Sequence, residues 1–492
     1  MPKSLINIKV VANVVGTLII ISGILMAFAI PISLYYNEGG LYSLIYSSLI
    51  TLFVGFALKY YTRNSENAEI KKREGYLIVA LGWLSMAIFG SLPYVLSGAI
   101  PNYSNAFFET VSGLTTTGSS ILDNIEEIPK GILFWRSMTQ WIGGMGIIVL
   151  TIAILPLLGV GGMELFASEA PGPTKDKIHP RIKETAKRLW LIYFGLTALQ
   201  TILLMYLGGM DFFDAINHAF TTMSTGGFST KQASIAYYNS AIIEYIIIAF
   251  MFIAGTNFTL LYFGFKFKFR KFWINDEFKW YFFSILFLTF IIIPSVIFTN
   301  SSLNTGFETS FREALFQVIS IITTTGYSSA DFTTWGAFVT FLFFLLLFTG
   351  ASAGSTAGGM KLVRIVLLIK NGFLEFKRRL HPNAVIPVHL NGQGVPITII
   401  YNLLAFVFFY LSTFVVGSLV VTFLGVDFME AVSAVATSLG NVGPGIASIG
   451  PAYSFNHLPE ASKWVLSILM LMGRLELFTI AILFTPYFWK RN

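Results

Sequence analysis

The chain has 492 residues, of which 55% are hydrophobic, 16% aromatic and only 12% charged, against a charged share of about 25% in ordinary soluble domains. Composition therefore excludes a water-bathed globular domain and points to a bilayer. The formal net charge is +7, and the absence of cysteine leaves no disulfide framework and no thiolate metal site.

A hydrocarbon core of roughly 30 Å calls for about 20 apolar residues per helix. In chain order, spans are predicted at 9–34, 41–61, 76–98, 131–158, 186–209, 240–265, 279–299, 335–370 with a weak centre, 396–424 and 462–488. A soluble helical protein with a large core is the alternative, but runs such as 281–299 contain no charge. The first span is too long for a signal peptide and lacks a small-residue cleavage site, so it reads as a retained helix.

Of the 32 Lys and Arg, 26 fall at the two ends (Lys3, Lys9, Lys490, Arg491) or in the segments 59–74, 164–188, 266–279 and 361–381. The positive-inside rule makes these cytoplasmic, with both termini inside. The alternating connections, carrying Glu38, Asp123, Glu126, Glu127, Glu308 and Asp331, then face outward. The positive excess is explained by membrane topology, and no nucleic-acid partner is needed.

Four outward connections contain a short apolar segment closed by a small polar quartet: "AFFETVSGLTTTGSS" from Ala106, "FFDAINHAFTTMSTGGFS" from Phe212, "FREALFQVISIITTTGYSS" from Phe311 and "FMEAVSAVATSLGNVGPG" from Phe428. The quartet glycines Gly118, Gly226, Gly326 and Gly440 are 108, 100 and 114 residues apart, which implies four copies of one unit. Each segment is too short to cross the bilayer and too apolar for water. It fits a re-entrant helix whose extended return lines a water-filled cavity, and four returns around one axis make a pore.

Glycine permits backbone conformations closed to other residues, so such a return can aim carbonyl oxygens at the axis while Thr and Ser add hydroxyl oxygens. Rings of this kind replace a cation's hydration shell. No quartet contains an ionised side chain, which suits a weakly hydrated monovalent ion and not a carboxylate-built divalent site. The candidate ligands are Thr115, Thr116, Thr117, Gly118, Ser224, Thr225, Gly226, Thr323, Thr324, Thr325, Gly326, Thr437, Ser438, Leu439 and Gly440.

The eighth span carries "TGASAGSTAGGM" over 349–360, with Gly350, Gly354, Gly358 and Gly359 in the middle of an expected helix. Glycine costs about 1 kcal/mol relative to alanine there, which argues for a break. Gly350, Gly354 and Gly358 also have the GxxxG spacing of close helix packing, and on the residues alone both readings stay open. Arg474, in "LMGRLELF" of the last span, is a charge expected to face a cavity or a partner. Pairing with Glu476 is the structural alternative, although two residues apart the side chains point to different faces.

Among the remaining singletons, His218 reads as a packed or water-facing histidine rather than a proton relay, and Glu109, Asp214, Glu313 and Glu430 as anchors of pore-helix starts. The function of "GGMELF" over 161–166 cannot be read.

With the quartets, "STGGFS", "GNVGPG" over 440–445 and "GASAGSTAGGMKLVRI" over 350–365, the chain resembles, over essentially its whole length, the TrkH branch of the Trk, Ktr and HKT superfamily of potassium transporters. The resemblance implies an all-α integral membrane protein with four pseudo-fourfold helix/pore-loop/helix repeats around a central pore plus two extra N-terminal helices. The expected units are 1–66 for the extension and 67–178, 179–272, 273–384 and 385–492 for the repeats. It implies potassium uptake across the inner (plasma) membrane, no catalysis, no cofactor beyond the transported ion, a homodimer, and a cytoplasmic nucleotide-binding regulatory partner of the TrkA type. It also implies a gate: an intramembrane loop of Gly350, Gly354, Ser355, Gly358 and Gly359 beneath the filter, facing Arg474. Serine in place of the first-repeat glycine goes with sodium preference in the plant relatives, so Gly118 implies potassium. A secondary carrier for a small solute is the alternative, weakened because all four repeats start on the same side. An intramembrane enzyme lacks support, since the sequence has no HExxH and no cysteine and its five histidines are scattered.

Overall fold

The computed structural model describes residues 6–63, 70–158, 182–300, 306–451 and 453–490. Lys3, residues 159–181 with "GGMELF", and Arg491 lie outside them. Among the described residues the regular structure is helical apart from one short hairpin. Helices α1 (Ile8–Ala27), α2 (Ala29–Tyr36) and α3 (Leu41–Thr62) come first. α1 and α3 meet through glycines: a Cβ at Gly16 or Gly55 would come within 3.1 Å of the other helix's backbone or side chains.

There follow α4 (Lys72–Gly90), α5 (Leu92–Ser97), α6 (Tyr103–Leu114), α7 (Lys130–Leu158), α8 (Ile182–Tyr206), α9 (Phe212–Met223), α10 (Ala241–Ala254), α11 (Phe258–Phe265) and α12 (Arg270–Ile274). The remaining helices are α13 (Asp276–Asn300), α14 (Phe307–Ile322), α15 (Ala337–Leu346), α16 (Leu362–Leu380), α17 (Ile397–Phe423), α18 (Phe428–Gly440), α19 (Glu460–Arg474), α20 (Leu477–Ala481) and α21 (Pro486–Trp489). A two-residue hairpin, β1 (His389–Leu390) with β2 (Gln393–Gly394), precedes α17.

The short helices α6, α9, α14 and α18 are the apolar segments singled out in the sequence. Each packs between the long helices before and after it, and α19, α7 and α10 additionally cover α6, α9 and α14. Burial explains their stability: in α6, residues 106–114 are all buried, and so are residues 217–223 of α9. The long helices show phenylalanine, isoleucine and leucine outward, for example Phe283, Phe287 and Phe290 on α13, as a lipid-facing surface requires.

Among the described residues six helices are long and apolar enough to cross a membrane, or eight when two bent pairs are each counted as one span. The bent pairs correct the sequence reading. The spans expected to run unbroken at 240–265 and 462–488 turn by 108° between α10 and α11 and by 117° after α19. At the first bend Gly255 ends α10 where a Cβ would lie 2.5 Å from the Tyr281 hydroxyl and 2.7 Å from Thr323. Asn257 then caps α11, accepting from the Thr259 N–H at 2.7 Å. At the second, Glu476 adopts φ +64°, which no helix interior allows.

Candidate functional site

Each short helix ends alike. Thr116, Thr225, Thr324 and Asn441 take left-handed backbone (φ 53°, 54°, 55° and 52°), and their N–H groups donate three residues back, to Gly113, Thr222, Ile321 and Ser438. The next residues, Thr117, Gly226, Thr325 and Val442, donate five residues back, to Ser112, Thr221, Ser320 and Thr437. This is a Schellman C-cap made four times, with threonine rather than glycine at three left-handed positions. A β-branched residue there is a strained outlier, and such strain concentrates at functional sites.

Two residues beyond each strained position stands a glycine with positive φ: Gly118, Gly227, Gly326 and Gly443. A Cβ on Gly118 would lie 2.2 Å from the Gly226 carbonyl oxygen, on Gly227 1.9 Å from that of Thr325, on Gly326 2.1 Å from that of Val442, and on Gly443 2.7 Å from that of Thr117. Going from each return to the next therefore closes a ring, in which the first and third lie across from each other and the second and fourth beside them.

The ring fixes a register that differs from the sequence alignment. The first and third quartets, Thr115, Thr116, Thr117, Gly118 and Thr323, Thr324, Thr325, Gly326, are equivalent as expected. In the second return the equivalent stretch is Ser224, Thr225, Gly226, Gly227, so the closing glycine is Gly227 and not Gly226. In the fourth it is Gly440, Asn441, Val442, Gly443. Thr437, Ser438 and Leu439 belong to the last turn of α18, and the Thr437 carbonyl accepts the capping bond from Val442. Aligning on the first glycine after a hydroxyl run placed the fourth quartet three residues early.

Hydroxyls differ around the ring. Thr115 and Thr117 share a bond of 2.7 Å between their Oγ1 atoms, and Thr323 and Thr325 one of 2.8 Å; the second and fourth returns lack this pair of threonines. Thr116 Oγ1 is buried without a hydrogen-bond partner. Asn441 donates from Nδ2 to Thr117 Oγ1 and to the Met470 carbonyl, both at 2.9 Å.

Against the ring lies the glycine-rich segment. It is not helical: α15 stops at Leu346, the Gly350 N–H donates to the Met360 carbonyl at 2.8 Å, and α16 starts at Leu362. It is held by groups from every side. Asn257 donates to Ala353 O at 2.6 Å, Ala353 N–H to Glu277 at 2.7 Å, and Thr356 Oγ1 to Met223 O at 3.0 Å. The Gly358 N–H donates to Thr324 Oγ1 at 2.7 Å, so segment and ring touch directly. A Cβ on Gly358 would come 2.6 Å from that of Asn441, and one on Gly350 2.2 Å from the Gly358 carbonyl. Gly354 and Gly359 take positive φ, and Ser355 Oγ donates to Ser352 O at 2.6 Å.

Arg474, the last residue of α19, donates to Thr356 O at 2.7 Å and to Gly143 O at 2.6 Å. Glu476 pairs instead with Arg364 at 2.7 Å. Thus the breaks after α10, α15 and α19 converge against the ring.

Asp214 and Glu430 stand in the first turns of α9 and α18, as expected, whereas Glu109 and Glu313 lie further along α6 and α14. Glu109 sits in the second half of α6, where it accepts from Ser120 Oγ and the Ile121 N–H, both at 2.9 Å. Asp214 accepts from Thr230 at 2.6 Å and Tyr238 at 2.8 Å, and Glu430 from Ser448. They brace the outgoing backbone; Asn102 and Asp427 cap the helices. His218 is buried between Asp214 O at 2.8 Å and Ser229 Oγ at 2.9 Å, the packed reading. Sequence reasoning missed Arg136 and Gln140 of α7, and Asn257, Glu277 and Asn441. The signal for Arg136 was present, a charge inside an apolar span.

The model of the family described as TrkH, cation transport protein, matches residues 43–491. The Trk system potassium uptake protein TrkH of Halomonas elongata is 41% identical over 99% of this chain and 100% of its own. TrkH of Escherichia coli K12 is 40% identical over 98% and 100%. The crystal structure of the potassium transporter TrkH from Vibrio parahaemolyticus superposes with a TM-score of 0.88 at 38% identity, covering 99% of this chain and all of that one. With its helical membrane fold and its ring of four returns, the chain belongs to the TrkH family of cation transport proteins.

Proposed function

We propose that the chain takes up potassium through the ring, which acts as its selectivity filter. The closed carbonyl-to-glycine sequence of the four returns carries this reading: a closed ring of backbone and hydroxyl oxygens can replace a cation's hydration shell without a charged ligand. In the structural register the ion would meet 115–118, 224–227, 323–326 and 440–443. The C-terminal ends of α6, α9, α14 and α18 point their partial negative charge at the same place, and the partnerless Thr116 Oγ1 offers an oxygen there. The names of the relatives, all potassium uptake proteins, support potassium as the cargo.

The segment 349–360 acts as gate. Gly350, Gly354, Ser355, Gly358 and Gly359 give it a backbone that fits beneath the filter, and Arg474 latches it through the Thr356 carbonyl while placing a positive charge against the ion. The units 67–178, 179–272, 273–384 and 385–492 are the four repeats and 1–66 the extension. The termini and basic loops face the cytoplasm, where a TrkA-like nucleotide-binding subunit docks on a homodimer.

The test is rubidium uptake into vesicles reconstituted with the purified chain, with and without competing sodium. Rubidium flux that sodium does not suppress is expected. Absence of flux, or sodium entering as readily as rubidium, overturns the reading.

A further inference from the structure

Helix α7 follows the first return, yet one of its faces grips the second. Arg136 and Gln140 lie one turn apart on that face and are 1% and 0% exposed. Gln140 donates from Nε2 to the Gly226 carbonyl at 2.7 Å and accepts from the Phe228 N–H at 3.0 Å. Arg136 donates from Nη1 to the Ser229 carbonyl at 3.0 Å and from Nη2 to Ser120 Oγ at 3.1 Å. Its Nε meets Glu109 at 2.7 Å, and its guanidinium carbon lies 3.5 Å from the centre of the Phe228 ring. Two residues on one rigid helix thus hold the backbone of the second return directly and tie it, through Ser120 Oγ and Glu109, to the segment that leaves the first.

A buried guanidinium costs several kcal/mol of desolvation unless it is paired and fully bonded, and here a carboxylate, a carbonyl, a hydroxyl and an aromatic face meet that need. A plain fold staple would do the same, so position decides. Gly226 O, the atom Gln140 holds, is also the atom that a Cβ on Gly118 would meet at 2.2 Å. The clamp therefore acts on the junction that sets the distance between two adjacent returns. A filter discriminates through the spacing and field of its carbonyls, and backbone free to relax inward accommodates a smaller ion.

We propose that Arg136 and Gln140 are positioning residues of the filter: by fixing the second return against the first they set the preference for potassium over sodium. The inference rests on the reading of the ring as the filter. Glu109 serves it as the charge that keeps Arg136 in place.

The test measures the rubidium-to-sodium permeation ratio in vesicles for the wild type, Gln140→Leu, Arg136→Lys and, as a reference inside the ring, Gly118→Ser, with melting in detergent as the control for folding. Gln140→Leu keeps the bulk and removes both bonds; Arg136→Lys keeps the charge and loses the planar fork. A ratio lowered about tenfold in Gln140→Leu, equal to ~1.4 kcal/mol, and lowered in the same direction in Arg136→Lys, is expected. A ratio lowered by Gly118→Ser alone overturns this proposal and leaves the filter standing. A ratio unchanged in all three overturns the filter reading and this inference with it. If neither α7 variant folds, the two residues are fold staples and the proposal fails; if only Gln140→Leu misfolds, Arg136→Lys decides.

Discussion

Replacing Gly118 with serine introduces a side chain where the first return touches the second. Gly118 has φ +86°, and left-handed backbone costs a residue with a Cβ about 1–2 kcal/mol. The larger effect is steric. The new Cβ would stand 2.2 Å from the Gly226 oxygen and 3.7 Å from Gly443 Cα. Ordinary contact begins near 3.4 Å, so the carbonyl must give way by about 1 Å, and the fourth return closes the other side. A carbonyl displaced that far no longer belongs to a common ring. Discrimination between rubidium and sodium is expected to fall at least about tenfold, or ~1.4 kcal/mol, read as sodium competition against rubidium uptake in reconstituted vesicles. Folded Gly118→Ser protein with an unchanged ratio would refute the assignment, because no filter at this contact could absorb the clash silently.

Three further outcomes follow from the same geometry. Arg474→Ala removes the bonds to Thr356 and Gly143 and the charge beneath the ring, so basal rubidium flux should rise several-fold; a flux equal to wild type would remove Arg474 from the gate. In Thr324→Val the buried Gly358 N–H loses its acceptor, an omission worth about 1–3 kcal/mol. The loop should loosen and leak, which vesicle flux without a regulator would register, and a wild-type rate would break the link between loop and filter. Glu476→Gln removes the charge opposite Arg364, in a pair whose side chains are 11% and 14% exposed; a loss of about 1.5–3 kcal/mol should appear as earlier melting in detergent. The swap Arg364→Glu with Glu476→Arg should recover part of it, and no difference between single and double variants would count against the pair.

Much of the architecture was legible because a bilayer leaves few options. Apolar runs of the right length had to be helices, and the start of α3 and the ends of α13 and α17 fall within three residues of the expected bounds. The short helices were visible as apolar segments too short to cross, and the break at 349–360 as glycines in a helix. The breaks after Ala254 and Arg474 were not: Gly255, Asn257, Arg474 and Glu476 interrupt those runs only briefly, and each run as a whole remains apolar and long enough to read as one span.

The sequence by itself determined that the chain spans a membrane, that a short helix and a small polar return occur four times, and that residues 115–118 and 323–326 correspond. Only the tertiary structure decided the register of the other two returns, Gly227 and Gly443 rather than Gly226 and Gly440, and the order of the four around the ring. It alone revealed Arg136, Gln140 and Asn441 as the groups that hold them. Hydropathy and glycine spacing report what each residue asks of its own backbone and solvent. Register in a closed ring is set by which carbonyl lies against which glycine far away in the chain, as Gly326 and Val442 do, and no local pattern encodes that distance.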